Sequence, residues 1–189
     1  MMKILPLNNA KITSPYDVER TINGVTSLHK GIDLISNSGD TKVKAIADGV
    51  IRGNFYEPDG FGNYVSIEHL DGKRSIYAHL SSFNKKAGDV VKAGDIIGIM
   101  GSTGRSTGPH VHLEVRVTPY LQHHRINVAD YLGIKNERGL VVSKELTREE
   151  KIQLVKDRVG YDDNTCKYMF ELYKYGNEAL DKMVNALLK

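Results

Sequence analysis

The chemistry in this sequence lies in its histidines and one aspartate. Seven histidines are present: His29, His69, His79, His110, His112, His123 and His124. His110 and His112 flank Val111. On a strand both imidazoles project from one face while Val111 turns to the other. His29 and Asp33 stand four residues apart, and in extended chain they also share a face, with Gly31 between them leaving space. His79 closes the strand-like run 75–79. Two neutral imidazoles and one carboxylate make a three-ligand zinc set with a fourth position open, the pattern of catalytic zinc. Zinc held this way makes hydroxide available near neutral pH. Two further histidines are then free for proton handling or oxyanion stabilisation. Spacing does not say which histidine of the His-x-His pair is a ligand. The helix-borne His-Glu-x-x-His signature is absent.

The elements that must position these groups are short strands. Segments 43–51, 64–68, 74–79, 96–100 and 110–117 are rich in β-branched and aromatic residues and bounded by Gly, Asp, Asn or Ser. Asp71-Gly72 between two such runs predicts a hairpin with a type I′ turn. Residues 54–63, with Gly60 and Gly62, read as a loop. Gly101, Gly104 and Gly108 bracket a Ser/Thr-rich loop that turns tightly before the His-x-His strand, and Pro109 fixes the approach to His110. The pattern predicts a mainly antiparallel β core. His69 reads as surface or groove edge, and His123-His124 as a solvated loop.

After Tyr131 the apolar spacing becomes helical. Thr147-Arg148-Glu149-Glu150 is a capping box, followed by Ile152, Val155 and Val159. A second helix starts near Asp163 and carries Met169, Phe170 and Tyr173, with Cys166 as a small buried hydrophobe. A third follows Asn177, with Leu180, Met183, Val184 and Leu187 as one stripe. Tyr161, Tyr168, Tyr173 and Tyr175 read as packing within this bundle. The expected domains are a β-domain over 1–133, a linker over 134–146 and a three-helix module over 147–189.

Composition narrows the function further. The chain has 189 residues, a net charge of +3 and one cysteine. A single cysteine excludes an internal disulfide framework and a Cys-based structural zinc site. The weak, dispersed positive charge argues against nucleic acid. No apolar run reaches the length of a membrane span, and the N-terminus does not read as a secretory signal.

Whole segments then point to a family. Residues 101–114, from Gly101-Ser102-Thr103-Gly104 to His110-Val111-His112-Leu113-Glu114, resemble the signature of lysostaphin-type, LytM-like zinc endopeptidases of the bacterial cell wall. His29-Lys30-Gly31-Ile32-Asp33-Leu34 resembles the first zinc motif of that family. Residues 62–67, 77–81 and 87–98 resemble its central hairpin and the segment after it, in family order. The resemblance covers residues 10–133. It implies a LytM-like β fold, one Zn2+ held by His29, Asp33 and His112, and His79 with His110 as the catalytic pair. It implies peptidoglycan as substrate, and the Gly108-Pro109-His110 and Glu114 context suggests D-alanine-containing bonds. The sequence departs from the family near Ser14-Pro15-Tyr16-Asp17-Val18-Glu19-Arg20, where the aromatic–Gly–Arg run lacks its glycine.

Three other expectations follow. A non-catalytic LytM-like binding or regulatory module is the alternative, set against by the presence of every ligand and both candidate catalytic histidines. A lipoyl- or biotinyl-carrier domain fits residues 87–98 but lacks a lysine presented at a turn tip. Met1, the missing leader and the helical tail suggest a phage lysin released by holin, or a tail-associated hydrolase. The helices would then dock a virion or tail component.

Overall fold

The computed structural model describes residues 3–22, 24–119, 123–141, 148–160, 162, 165 and 176–187. The centre of the fold is β11 (Val111–Arg116), in which every residue is buried. Strand alternation divides it into two faces. Val111, Leu113 and Val115 enter the hydrophobic core, and His112, Glu114 and Arg116 face the other way. On one side β11 pairs antiparallel with β4 (Ile32–Ser36), which places His112 directly opposite Asp33. On the other it pairs with β8 (Arg74–Phe83), which places His112 opposite Ala78.

The remaining strands extend this sheet. β1 (Ala10–Ser14) lies outside β4, and β13 (Gly139–Leu140) outside β1. Beyond β8 come β7 (Gly62–His69), β6 (Gly49–Glu57) and β9 (Val90–Val91). β10 (Ile96–Met100) pairs with both β8 and β5 (Lys42–Lys44), and β12 (Arg125–Ile126) pairs with β11. β2 (Glu19–Ile22) and β3 (Val25–Leu28) form a separate hairpin. Ile32, Leu34, Ile67, Tyr77, Leu80 and Leu113 are fully buried in the core. The antiparallel β architecture agrees with the sequence reading.

Several local expectations are revised. The expected strand 43–51 is broken between β5 and β6, where Ala45 N–H donates to Asp95 O and Ile46 N–H donates to Tyr77 Oη instead of continuing a ladder. The expected loop 54–63 is largely hairpin arm, with β6 running to Glu57 and β7 starting at Gly62. At Asp71-Gly72 only Gly72 has positive φ, 74°, so the turn is not type I′; Lys73 O accepts from His69 N–H to close a longer loop. His69 is not at the surface but buried. Its Nδ1–H donates to Asp48 O at 3.0 Å, and its Nε2 lies 2.7 Å from Ser75 Oγ.

The chain divides into two compact units, Met1–Ser143 and Lys144–Lys189. Within the 134–146 segment read as a linker, β13 pairs with β1, following the short helix α1 (Val128–Leu132), capped by Asn127. The second unit contains α2 (Arg148–Val159) and α3 (Gly176–Leu187). Val155, Leu180 and Val184 are buried, and Lys151 pairs with Asp181 at 2.5 Å; Val159 is 41% exposed. Of the expected middle helix only Thr165 is described, helical and with its N–H donating to Asp162 Oδ1 at 2.7 Å; Cys166 and the tyrosines at 161, 168, 173 and 175 lie outside the described residues. Among the described residues, no helix is long and apolar enough to cross a membrane.

Candidate metal centre and groove

Three side chains converge on one point. His29 Nε2 lies 3.0 Å from His112 Nδ1 and 3.1 Å from Asp33 Oδ1, and His112 Nδ1 lies 2.8 Å from the same Oδ1. Asp33 and His112 meet because β4 and β11 pair in register. His29 arrives from the segment preceding β4, which crosses β11 closely at Gly31. A Cβ on Gly31 would sit 2.3 Å from Leu113 O and 3.0 Å from the His112 ring, so only glycine fits there.

The partners on the far side of each ring decide what these atoms can bind. His29 Nδ1 lies 2.8 Å from Pro15 O, an acceptor only, so Nδ1–H donates and Nε2 of the neutral ring keeps its lone pair. His112 Nε2 faces Glu114 Oε1 at 3.4 Å, which leaves Nδ1 as the lone-pair nitrogen of a neutral ring. Two nitrogen lone pairs and a carboxylate oxygen then meet within about 3 Å. That arrangement demands a cation. Metal bonds of 2.0–2.2 Å in tetrahedral geometry put ligand atoms about 3.3 Å apart, close to the spacing found. The donor set therefore fits zinc.

The electrostatics agree. Burial opposes the charge of Asp33, but hydrogen bonds with His112 and His29 hold its carboxyl far below the usual carboxylate range. Burial pushes His29 down. It also opposes protonation of His112, yet the Asp33 and Glu114 carboxylates outweigh it and push His112 up. A metal ion held by the trio requires the neutral ring, so its binding would displace any proton from His112.

A second tier of residues orients the first. Arg20 Nη1 binds Asp33 Oδ2 at 2.7 Å, which turns Oδ1 to the histidines. Glu114, 1% exposed, receives Arg116 Nη2 at 2.6 Å and Nε at 2.8 Å, and Arg125 Nη1 lies 3.7 Å away. The sequence reading did not single out Arg20 or the Glu114–Arg116 pair as site residues. Glu114 and Arg116 share the strand parity of His112, a signal that could have found them. The missing glycine near Tyr16 is replaced in conformation: Asp17 itself takes φ 63°.

His79 and His110 flank the trio, with ring centroids 4.7 Å apart. His110 precedes β11; its Nδ1–H donates to Gly108 O at 2.8 Å, and its Nε2 lies 3.7 Å from Asp33 Oδ1. His79 reaches the same face by a β-bulge. Tyr77 pairs with Val65 and Leu80 with Asn63, so β8 carries one more residue than β7 there. The bulged residue is His79, at φ 63°, and the bulge turns its ring from core to groove. Its Nδ1–H donates to Thr103 O at 2.8 Å, which leaves Nε2 with the lone pair. Burial lowers its pKa to about 4, so the ring is neutral at neutral pH.

The Ser/Thr loop before β11 holds both rings in place. Thr103 Oγ1 accepts from Asn63 N–H at 2.9 Å and donates to Leu80 O at 2.8 Å. Ser106 Oγ donates to Gly108 O, the acceptor of His110. His123 and His124 meet edge-to-face with ring centroids 4.3 Å apart; His123 is exposed and His124 half-buried. The site opens into a groove of about 320 Å³ whose walls include Arg20, Leu28, Glu57, Phe61 and Arg105.

A sequence profile described as Peptidase family M23 matches residues 27–128, more than half of the chain. The chain belongs to peptidase family M23. M23 metallopeptidases use zinc, in agreement with the His29–Asp33–His112 trio. This M23 chain is 45% identical over 115 residues to the DD-carboxypeptidase/endopeptidase Mpg of Neisseria meningitidis serogroup B, a match covering 60% of this chain and 26% of the relative. It is 46% identical over 100 residues to lysostaphin of Staphylococcus staphylolyticus, covering 52% of this chain and 20% of the relative. It spans about a quarter or less of the length of these relatives. The catalytic domain of lysostaphin from Staphylococcus simulans superposes with a TM-score of 0.60 at 39% identity, covering 66% of this chain and 92% of that one. A zinc-containing peptidase from Vibrio cholerae superposes with a TM-score of 0.53 at 29% identity, covering 65% of this chain and 37% of the other.

Proposed function

We propose that this M23 chain is a zinc-dependent endopeptidase that hydrolyses peptide crosslinks or stem peptides of bacterial peptidoglycan at D-alanine-containing bonds. The carrying observation is the convergence of two histidine lone pairs and the Asp33 carboxylate at 2.8–3.1 Å, with two more histidines beside them. In this reading His29, Asp33 and His112 hold one Zn2+, and His79 and His110 are the catalytic pair. Bound zinc supplies a Lewis acid that polarises the scissile carbonyl and acidifies water.

The chain's own groups do the rest. The backbone carbonyls of Gly108 and Thr103 hold His110 and His79 with Nδ1 protonated, so both present Nε2 lone pairs to the groove. One ring takes the proton of the attacking water. Once protonated, its Nε2–H stabilises the tetrahedral oxyanion and passes the proton to the leaving amine. The burial that keeps His79 neutral makes it available as an acceptor.

The D-alanine assignment draws on relatives named DD-carboxypeptidase/endopeptidase Mpg and peptidoglycan DD-endopeptidase ShyC of Vibrio cholerae, the latter 37% identical over 114 residues. A non-catalytic module would have no use for the complete trio. The proposed setting is a phage lysin or tail-associated wall hydrolase, with the Lys144–Lys189 unit docking a virion or tail component. The catalytic domain of a prophage-encoded M23 protein from Enterococcus faecalis, 34% identical with a TM-score of 0.54, supports that setting. The test is mass spectrometry of fragments released from purified peptidoglycan of several chemotypes. New ends at D-alanine bonds are expected. Release of ends within glycine bridges alone would overturn the specificity, and no release by zinc-loaded protein would overturn the activity.

A further inference from the structure

A row of aromatic rings leads out of the groove along the β6–β7 hairpin. Phe61 stacks against His112 at 5.7 Å, Tyr64 meets Phe61 at 5.3 Å, and Phe55 stacks on Tyr64 at 5.0 Å with the planes 26° apart. Phe55 and Tyr64 are directly opposite in the β6–β7 register. Phe55 shares its strand face with Glu57, which lines the groove, so row and groove are continuous.

The outer ring of this row is open yet held. Phe55 is 44% exposed. The far edge of its ring comes to Gly53, where an added Cβ would fall 2.3 Å from Cζ, so the glycine makes room for it. Tyr64 supports it from across the hairpin. An exposed aromatic face fixed in orientation suits a flat, uncharged ligand that offers C–H groups to the negative π-face. Pyranose rings have that chemistry.

We propose that Phe55, backed by Tyr64, is a binding platform for the glycan strand of peptidoglycan. The inference rests on the endopeptidase reading for its ligand. Centroid steps of 5.0, 5.3 and 5.7 Å place Phe55 no more than about 16 Å from His112. The bond on the carboxyl side of the fourth stem residue is separated from its sugar by four extended residues, about 13–14 Å. A stem peptide lying in the groove with that bond at the trio has a reach comparable with the span of the aromatic row. The platform would select substrates still attached to glycan over free crosslinked peptides.

The test uses the full zinc-loaded chain. The protein contains no tryptophan, so Phe55→Trp puts a sole indole at the platform. Its fluorescence should shift on titration with peptide-free glycan strands. Phe55→Ala should weaken glycan binding about tenfold or more, measured by calorimetry, and raise KM on intact sacculi with kcat retained. An indole that responds to glycan-free crosslinked peptide and not to glycan strands would overturn the platform. So would unchanged glycan affinity in a folded Phe55→Ala variant. Glycan binding by a chain that hydrolyses nothing would sustain the platform and overturn the endopeptidase reading. Hydrolysis without glycan binding would overturn the platform alone.

Discussion

Replacing Glu114 with glutamine probes the buried support of the metal centre. The carboxylate is 1% exposed, binds Arg116 through two nitrogens at 2.6 and 2.8 Å, and faces His112 Nε2 at 3.4 Å. Glutamine keeps the volume and removes the charge. Arg116, 9% exposed, and Arg125, 3.7 Å from Oε1, are then left without their counter-charge. Removing one partner of a buried pair costs about 3–5 kcal/mol, and two cations lose theirs here, so we expect the upper half of that range. At about 2–4 °C per kcal/mol for a chain of this size, the metal-free melting temperature falls by roughly 8–20 °C. Zinc affinity, followed by competition with a chromogenic chelator, falls about 10- to 100-fold because His112 loses its orienting acceptor. Glu68 is the control: it also meets two arginines, Arg52 and Arg74, but at 28% side-chain exposure. Glu68→Gln should cost no more than about 1 kcal/mol and leave zinc affinity unchanged. Equal, small effects of the two substitutions would refute the idea that Glu114 supports the site.

Further outcomes follow from individual contacts. Thr103→Ala removes the hydroxyl between Asn63 N–H and Leu80 O, so kcat should fall about tenfold or more with zinc content retained, and Thr103→Ser should restore it; an unchanged kcat would remove Thr103 from the support of His79. Gly31→Ala forces a Cβ against Leu113 O and the His112 ring, and should cost about 1–3 kcal/mol together with most of the bound zinc, read by melting and metal analysis. Burial lowers the pKa of His69 below its unfolded value, so the stability it contributes is complete above about pH 6.5 and is lost as the pH falls towards the folded value. The melting gap between zinc-loaded wild type and His69→Gln should accordingly narrow from pH 7 to pH 5, and a constant gap would contradict this. Truncation after Ser143 should leave cleavage and wall binding intact if the helical unit docks a virion component; lost wall binding would reassign it.

How much could be read from the sequence depended on whether a side chain or the backbone carried the information. Strand parity paired His29 with Asp33 and His110 with His112, but only the family resemblance chose His112 over His110 as the ligand, because both imidazoles share one strand face. His79 was legible as a residue but not as a geometry. The bulge that turns it into the groove is a positive-φ backbone on a non-glycine, which no residue type announces. Arg20 was missed because β2 and β3 are polar and lack the apolar alternation that marks a strand, although Asn23-Gly24 between them is a hairpin signal. His69 was misplaced because the carbonyl and hydroxyl partners that satisfy its buried imidazole, Asp48 O and Ser75 Oγ, lie on other segments of the chain. The break at residues 45–47 was hidden because an unbroken apolar run reads the same as a buried strand.

Zinc stoichiometry in two single variants tests the central claim most directly. His112 supplies Nδ1 to the trio, whereas His110 Nε2 stands 3.7 Å from Asp33 Oδ1 and outside it. Purified His112→Ala should hold little zinc and hydrolyse no peptidoglycan. His110→Ala should hold one zinc per chain and hydrolyse no peptidoglycan. Full zinc in both variants, or loss of zinc from His110→Ala with retention by His112→Ala, would contradict the assignment of ligand and catalytic histidine.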